Sequence, residues 1–368
     1  MLASIYEYIY IIIVIIMTYA IMSSYHGWDC ERIANRNISN RVGLFLIALF
    51  FIVVIGLRPL SYKFVDMMNY NSYYHTFHYG MPFKFNWDYE NFLFDNLFAW
   101  MGFMKFDISS FFLLIAALYF GGIAWALNKM FPRDSLLAFV MYLGAFSTFS
   151  YGTNGIKAGA AASIFLMALA YREKKILAVT FLWLTLGFHH SMLVPIVAYL
   201  MAYFYRNPKA YLWTWIICLL LAAAHVSFIM SFLSGFTDEH GAEYLVENSQ
   251  EKHVSGFRPD FIIYSAVPIF IGYRLILKRY VVSETFKFLW CTYTMTNCVF
   301  LLCTYGNFIN RIAYLSWLMY PIVLLYPFVS TEWTNHPNTS KRYLKYVVYG
   351  HLAFTAFMTF IYYGLFSL

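Results

Sequence analysis

Twelve apolar runs follow one another along this chain with little polar sequence between them: 5–22, 42–57, 108–128, 135–152, 156–171, 176–188, 191–205, 211–234, 260–277, 286–304, 311–329 and 344–366. A backbone inside a bilayer must satisfy every N–H and C=O internally, which leaves α-helices and closed barrels. Continuous runs, rather than short alternating ones, read as helices, and about 20 apolar residues cross the ~30 Å hydrocarbon core. The expected fold is an all-α polytopic integral membrane protein with about 12 transmembrane helices. Runs 176–188 and 191–205 are individually short.

Only 12% of the residues are charged, against about 25% in soluble domains. No polar stretch is long enough for a separate soluble domain, so residues 1–368 are expected to form a single transmembrane domain. The segment 89–104 is amphipathic and broken by Glu90, Asp95 and Asn96. It reads as an interfacial helix inside a long loop, 58–107. The N-terminus lacks the positive segment of a signal peptide, so the first run is expected to stay as a span. The net charge of +7 is spread over many loops, with no Lys/Arg-rich run to suggest nucleic acid. Five cysteines form no C-x-x-C pair, which supports neither a zinc site nor a disulfide framework.

Basic residues set the orientation. Alternate connections 23–41, 129–134, 172–175, 206–210, 278–287 and 330–345 hold 16 Lys and Arg, whereas the other set holds eight. The first set is therefore expected in the cytoplasm. Both termini and the long connections 58–107 and 235–259 then face the periplasm or cell exterior.

Four outward cations stand at or inside the ends of spans: Arg58, Lys157, Arg258 and Arg311. The positive-inside bias disfavours them there unless something anionic binds, and Arg suits the oxygens of a diphosphate. The alternatives are snorkelling to headgroups or pairing with a nearby carboxylate, as Asp260 offers Arg258. Ionisable groups in such sequence are costly. Lys157 opens the run 156–171, and His189, His190 and Ser191 interrupt the hairpin that follows. Thirteen residues from Ile176 to Phe188 rise about 20 Å, short of the core thickness. Lys157 and His189 are therefore expected on the wall of a water-filled recess, open outward, with His189 either a general base or a polar contact between helices. His190 is expected to be structural and Ser191 to cap the next helix. The segment Tyr70–Tyr79 is rich in aromatic rings, suited to sugar rings or to anchoring at the interface. His75 and His78 lack an obvious third metal ligand.

Four stretches resemble a known family. They are I-G-L-R-P at 55–59 with Asp66 and Tyr70 after it; N-G-I-K-A-G-A-A-A-S-I-F-L at 154–166; F-H-H-S at 188–191; and F-R-P-D-F at 257–261 with N-R-I-A-Y-L-S-W-L-M-Y-P at 310–321. In this order they resemble the EpsG-like family of membrane glycan polymerases, related in role to O-antigen and capsule polymerases. Where the family usually has Arg-Gln, this chain has Lys157-Ala158.

The resemblance implies a GT-C-like membrane glycosyltransferase in the bacterial cytoplasmic membrane. Such an enzyme transfers a growing glycan from undecaprenyl diphosphate to a hydroxyl of another lipid-linked repeat unit. It also implies roles. His189 is the base or hydroxyl-orienting group, and Arg58, Lys157, Arg258 and Arg311 hold the diphosphate. Asp66 and Asp260 orient those cations or a sugar hydroxyl, and Tyr70 lies beside the sugar. No nucleotide cofactor is expected, in keeping with the lack of G-x-G-x-x-G or P-loop patterns, and no metal. The implied partners are the lipid-linked oligosaccharide, membrane lipid, and a chain-length regulator or other export proteins. A lipid-linked oligosaccharide flippase and a membrane acyltransferase are the competing classes, though the non-terminal charges gather on one side rather than along a lumen.

Overall fold

The computed structural model describes residues 5–25, 33–64, 66–80, 82–226, 256–278, 280–329 and 337–362. The expected outer loop 235–259 lies outside them up to residue 255, as do Cys30, Arg32, Lys252 and Arg279. The described residues are helical, with no β-strand among them. Six helices are long and apolar enough to cross a membrane: α1 (Tyr6–Ser23), α2 (Ile33–Gly56, apolar from Ser39), α5 (Ile108–Met130), α12 (Pro259–Leu277), α14 (Ile309–Val329) and α15 (Pro337–Phe357, within the span Tyr343–Ile361). The chain is an integral membrane protein. The other elements are α3 (Met67–Tyr79), α4 (Phe92–Phe103), α6 (Ser135–Leu143), α7 (Phe146–Thr153), α8 (Ile156–Ala170), α9 (Lys175–Phe188), α10 (Leu193–Phe204), α11 (Pro208–Ala223) and α13 (Glu284–Leu302).

Contacts divide the chain into two compact units, one of residues 1–192 with 341–368, the other of residues 193–340. In the first unit, α8 packs against α5, α7 and α9, and α2 against α5 and α6. The apolar run 135–152 is not one straight helix. It breaks after Leu143 into α6 and α7, bent by 75°. A helix end leaves its last carbonyls without intrahelical donors, a heavy cost away from water. Here each of the four receives a side chain. Met141 O lies 3.2 Å from His351 Nε2, and Tyr142 O accepts from Thr148 at 2.7 Å. Leu143 O accepts from Tyr10 and Gly144 O from Thr355, each at 2.8 Å. The bend is thus held by donors from α1, α7 and α15.

In the second unit α13 is central, touching α10, α11, α12 and α14. It is 19 residues long but too polar to be recognised as a span by composition. Its polar groups are buried and bonded. Asn297 accepts from Trp215 Nε1 at 2.8 Å and donates to Ser316 Oγ at 3.0 Å, joining α11, α13 and α14. Such bonds act as glue between helices where burial from water drives nothing. Cys218, Cys291, Cys298 and Cys303 are buried and free, as packing residues are.

Candidate functional site

The helix α4 organises the first unit's candidate site. Half of it is buried, through Phe94, Asn96, Phe98, Ala99, Met101 and Gly102, and it packs against α3, α5 and α9. Two glycines permit that closeness. A Cβ on Gly102 would stand 2.9 Å from Phe77 Cβ of α3, and one on Gly187 of α9 would stand 2.5 Å from Leu93 Cδ1. An amphipathic helix expected at the interface is therefore docked between elements of the protein. The polar residues that break its apolar run have specific partners.

Asp95 pairs with Lys157, Oδ1 to Nζ at 2.7 Å, with both side chains about a quarter exposed. Lys157 Nζ also lies 5.1 Å from the centre of the buried Phe94 ring. Lys157 is the second residue of α8, where a cation opposes the helix dipole, while Asp95 in the first turn of α4 is favoured by it. One turn earlier, Asn91 faces the other predicted group. Its Oδ1 accepts from the backbone N–H of His190 at 2.9 Å and stands 3.2 Å from His189 Nδ1. Positions 91 and 95 lie on one helix face about 6 Å apart along the axis. His189 and Lys157, predicted to share a recess, thus meet successive turns of α4.

The Asn91 contact also fixes the imidazole. A backbone N–H only donates, so the amide atom facing His190 N is the oxygen. The same oxygen faces Nδ1, so Nδ1 carries the proton and the Nε2 lone pair is the basic site. His189 caps α9 in an extended conformation, φ −157° and ψ 119°, at the break before the short turn His190–Met192. His190 exposes its ring and Ser191 is exposed too.

Arg58 follows the end of α2 and is 4% exposed. Its Nη1 donates to Ile55 O and its Nη2 to Thr153 O, each at 2.7 Å, so it joins the carboxyl ends of α2 and α7. Phe64 and Phe112 flank the guanidinium at 5.4 and 5.0 Å. Burial lowers its pKa to about 10, opposed by Tyr6, which leaves it a cation at neutral pH. Nε, buried, has no partner among the described residues. Phe112 and Phe94 are shared neighbours of Tyr70, at 6.5 and 6.1 Å. Tyr70 therefore stands on the aromatic layer that reaches Arg58 on one side and Lys157 on the other. Asp66 is half-buried at the start of α3, and its carbonyl accepts from Tyr70 N at 3.0 Å.

The remaining predicted residues belong to the second unit. Arg258 donates from Nε and Nη2 to the two oxygens of Asp260, at 2.9 and 2.5 Å, and covers the Phe261 ring at 4.5 Å. This is the carboxylate pairing weighed from sequence. Arg311, in the first turn of α14, lies 4.9 Å from the Phe308 ring. Phe308 adopts a left-handed conformation, φ 52°, strained for a bulky side chain, just where α14 begins.

A model of the EpsG family matches residues 41–367. The chain belongs to the EpsG family. No curated protein and no solved structure matches it. As an EpsG protein it is a membrane protein of polysaccharide biosynthesis, and the family-like stretches now have places. I-G-L-R-P turns out of α2, the Lys157 stretch opens α8, F-H-H-S breaks α9, and the last two open α12 and α14. Sequence reasoning missed Asn91 and Asp95. Their signal was present: two polar residues four apart on an otherwise apolar helix.

Proposed function

We propose that this EpsG protein is a glycan polymerase on the outer face of a bacterial cytoplasmic membrane, using undecaprenyl diphosphate-linked repeat units. The observation that carries the reading is the placement of His189 and Lys157 on adjacent turns of α4, one with a basic Nε2 and the other a cation. In the reaction, an acceptor sugar hydroxyl attacks the anomeric carbon of the donor glycan. The bond from that carbon to the diphosphate oxygen breaks, and lipid diphosphate leaves with the electron pair. His189 Nε2 takes the hydroxyl proton. Lys157 and the amino end of α8 present positive charge to the departing diphosphate, as stabilisation of developing charge requires. The anion competes with Asp95 for Lys157. Arg58 supplies long-range positive potential and its remaining Nε–H, while Asp66 and Tyr70 orient the sugar. For Arg258, Asp260 and Arg311 the proposal rests on the family pattern, and single substitutions test each. The orientation places both termini outside, from the count of basic residues.

The test is incubation of the purified protein in nanodiscs with extracted lipid-linked repeat unit alone. A ladder of products supports the polymerase, with none from His189→Ala. Movement of the substrate across a vesicle membrane without new linkages overturns the reading in favour of a flippase.

A further inference from the structure

Beyond α4's charged face lies a half-open cavity of about 340 Å³, walled by the end of α3, the connection 82–89 and α4. Its lining combines three flat apolar rings, Phe77, Phe83 and Phe85, with three hydrogen-bonding side chains, Lys84, Asn86 and Tyr89. The connection has no regular secondary structure over residues 82–86, yet it is pinned. Asn96 of α4, 3% exposed, accepts from Asn86 N at 2.8 Å and donates to Asn86 O at 2.7 Å. The Asn86 side-chain oxygen is itself taken by Asp88 N at 2.9 Å, which leaves its NH₂ as the donating end. Phe77 is fixed from behind by Phe98, edge-on at 6.3 Å. The cavity is therefore preformed.

We infer that this cavity is a saccharide-binding site, taking a sugar ring of the glycan apart from the group undergoing reaction. A sugar ring has apolar C–H faces and a rim of hydroxyls, and the cavity offers aromatic faces with donors beside them. Lipid tails have no use for Lys84, Asn86 and Tyr89, and a bare phosphate has none for three phenyl rings. The inference rests on the polymerase reading only in taking the ligand to be the glycan. Separation from the charged site implies that it holds a part of the chain that is not reacting, and so governs length rather than bond formation.

The experiment replaces Phe85, which is 42% exposed, with the photo-crosslinker p-benzoylphenylalanine. A control variant carries the same group at Tyr19, 67% exposed on α1. Each is irradiated in nanodiscs with extracted lipid-linked repeat unit radiolabelled in the sugar. Label attached through position 85 and not through 19 supports the site. Equal labelling at both, or none at 85, overturns it. In parallel, Lys84→Ala with Phe85→Ala is assayed on the same substrate. Products about tenfold shorter, with the first linkage formed at the wild-type rate, are expected for the loss of one well-made contact. An unchanged ladder also overturns the site. Absence of any ladder from wild-type protein overturns the polymerase instead, and the crosslink then still reports on the cavity.

Discussion

Asn91 makes His189 a one-sided base, with Nδ1 as donor and Nε2 as acceptor. Replacing Asn91 with Ala is expected to lower turnover about 10–100-fold while leaving the binding of lipid-linked substrate largely intact, an effect in the range seen when a positioned acid–base group is disturbed. Asn91→Asp gives a sharper outcome. A carboxylate against Nδ1 favours the imidazolium, so the base is available only at higher pH and the acid limb of the activity profile moves up. A merely structural Asn91 would shift neither limb. Lys157→Arg keeps the charge but not the compact ammonium held by Asp95, and Lys157→Met removes it. Polymer yield in cells lacking the native protein should be retained in part by Arg and lost with Met. His189 and Lys157 were legible in sequence because charge is conspicuous in apolar surroundings. Asn91 and Asp95 were not, because on an amphipathic helix a polar residue usually means only a wet face.

Among the elements, hydropathy located most helices but said nothing of bends. The run 135–152 is apolar throughout, yet it turns by 75° after Leu143. What permits the turn lies far away in sequence, in Tyr10 and Thr355, whose hydroxyls reach Leu143 O and Gly144 O. No local pattern announces such donors. Thr355→Val keeps the shape and removes the hydroxyl, leaving a buried carbonyl short of its donor. A loss of about 1–3 kcal/mol is expected, read as a lower midpoint of thermal unfolding in detergent. The α7–α8 hairpin is as sensitive. A Cβ on Gly159 would stand within 2.4 Å of Tyr151 O, a backbone atom that cannot swing away. Gly159→Ala should destabilise by about 1–3 kcal/mol through overpacking and shift α8 together with Lys157. Activity should fall with it, while Gly80→Ala, with open space around its Cβ, should leave both unchanged.

At the scale of the whole molecule, the family match and the six clear spans agree with the reading of a membrane protein from its apolar runs. The sixteen-to-eight division of basic residues carries a direct test. Alkaline phosphatase fused after Lys84 should be active, and after Glu173 inactive; the reverse would invert the proposed orientation and move the His189 site to the cytoplasm. Composition showed no boundary near residue 192, where contacts separate the two units. Apolar sequence looks alike on either side of it, so only the pairing of helices marks the division. Within the second unit, α13 has a consequence for how the protein is made. Thr292, Thr294, Thr296 and Asn297 are all buried, so this helix is poorly suited to partition into lipid as it leaves the ribosome. Its solvent is α11 behind it and α14 still to come. Biogenesis must hold α13 at the insertion machinery until α14 emerges with Ser316 for Asn297. A chain cut after Leu302 should therefore be cleared by membrane proteases, whereas one cut after Val329 should persist, a difference that pulse-chase labelling would read directly.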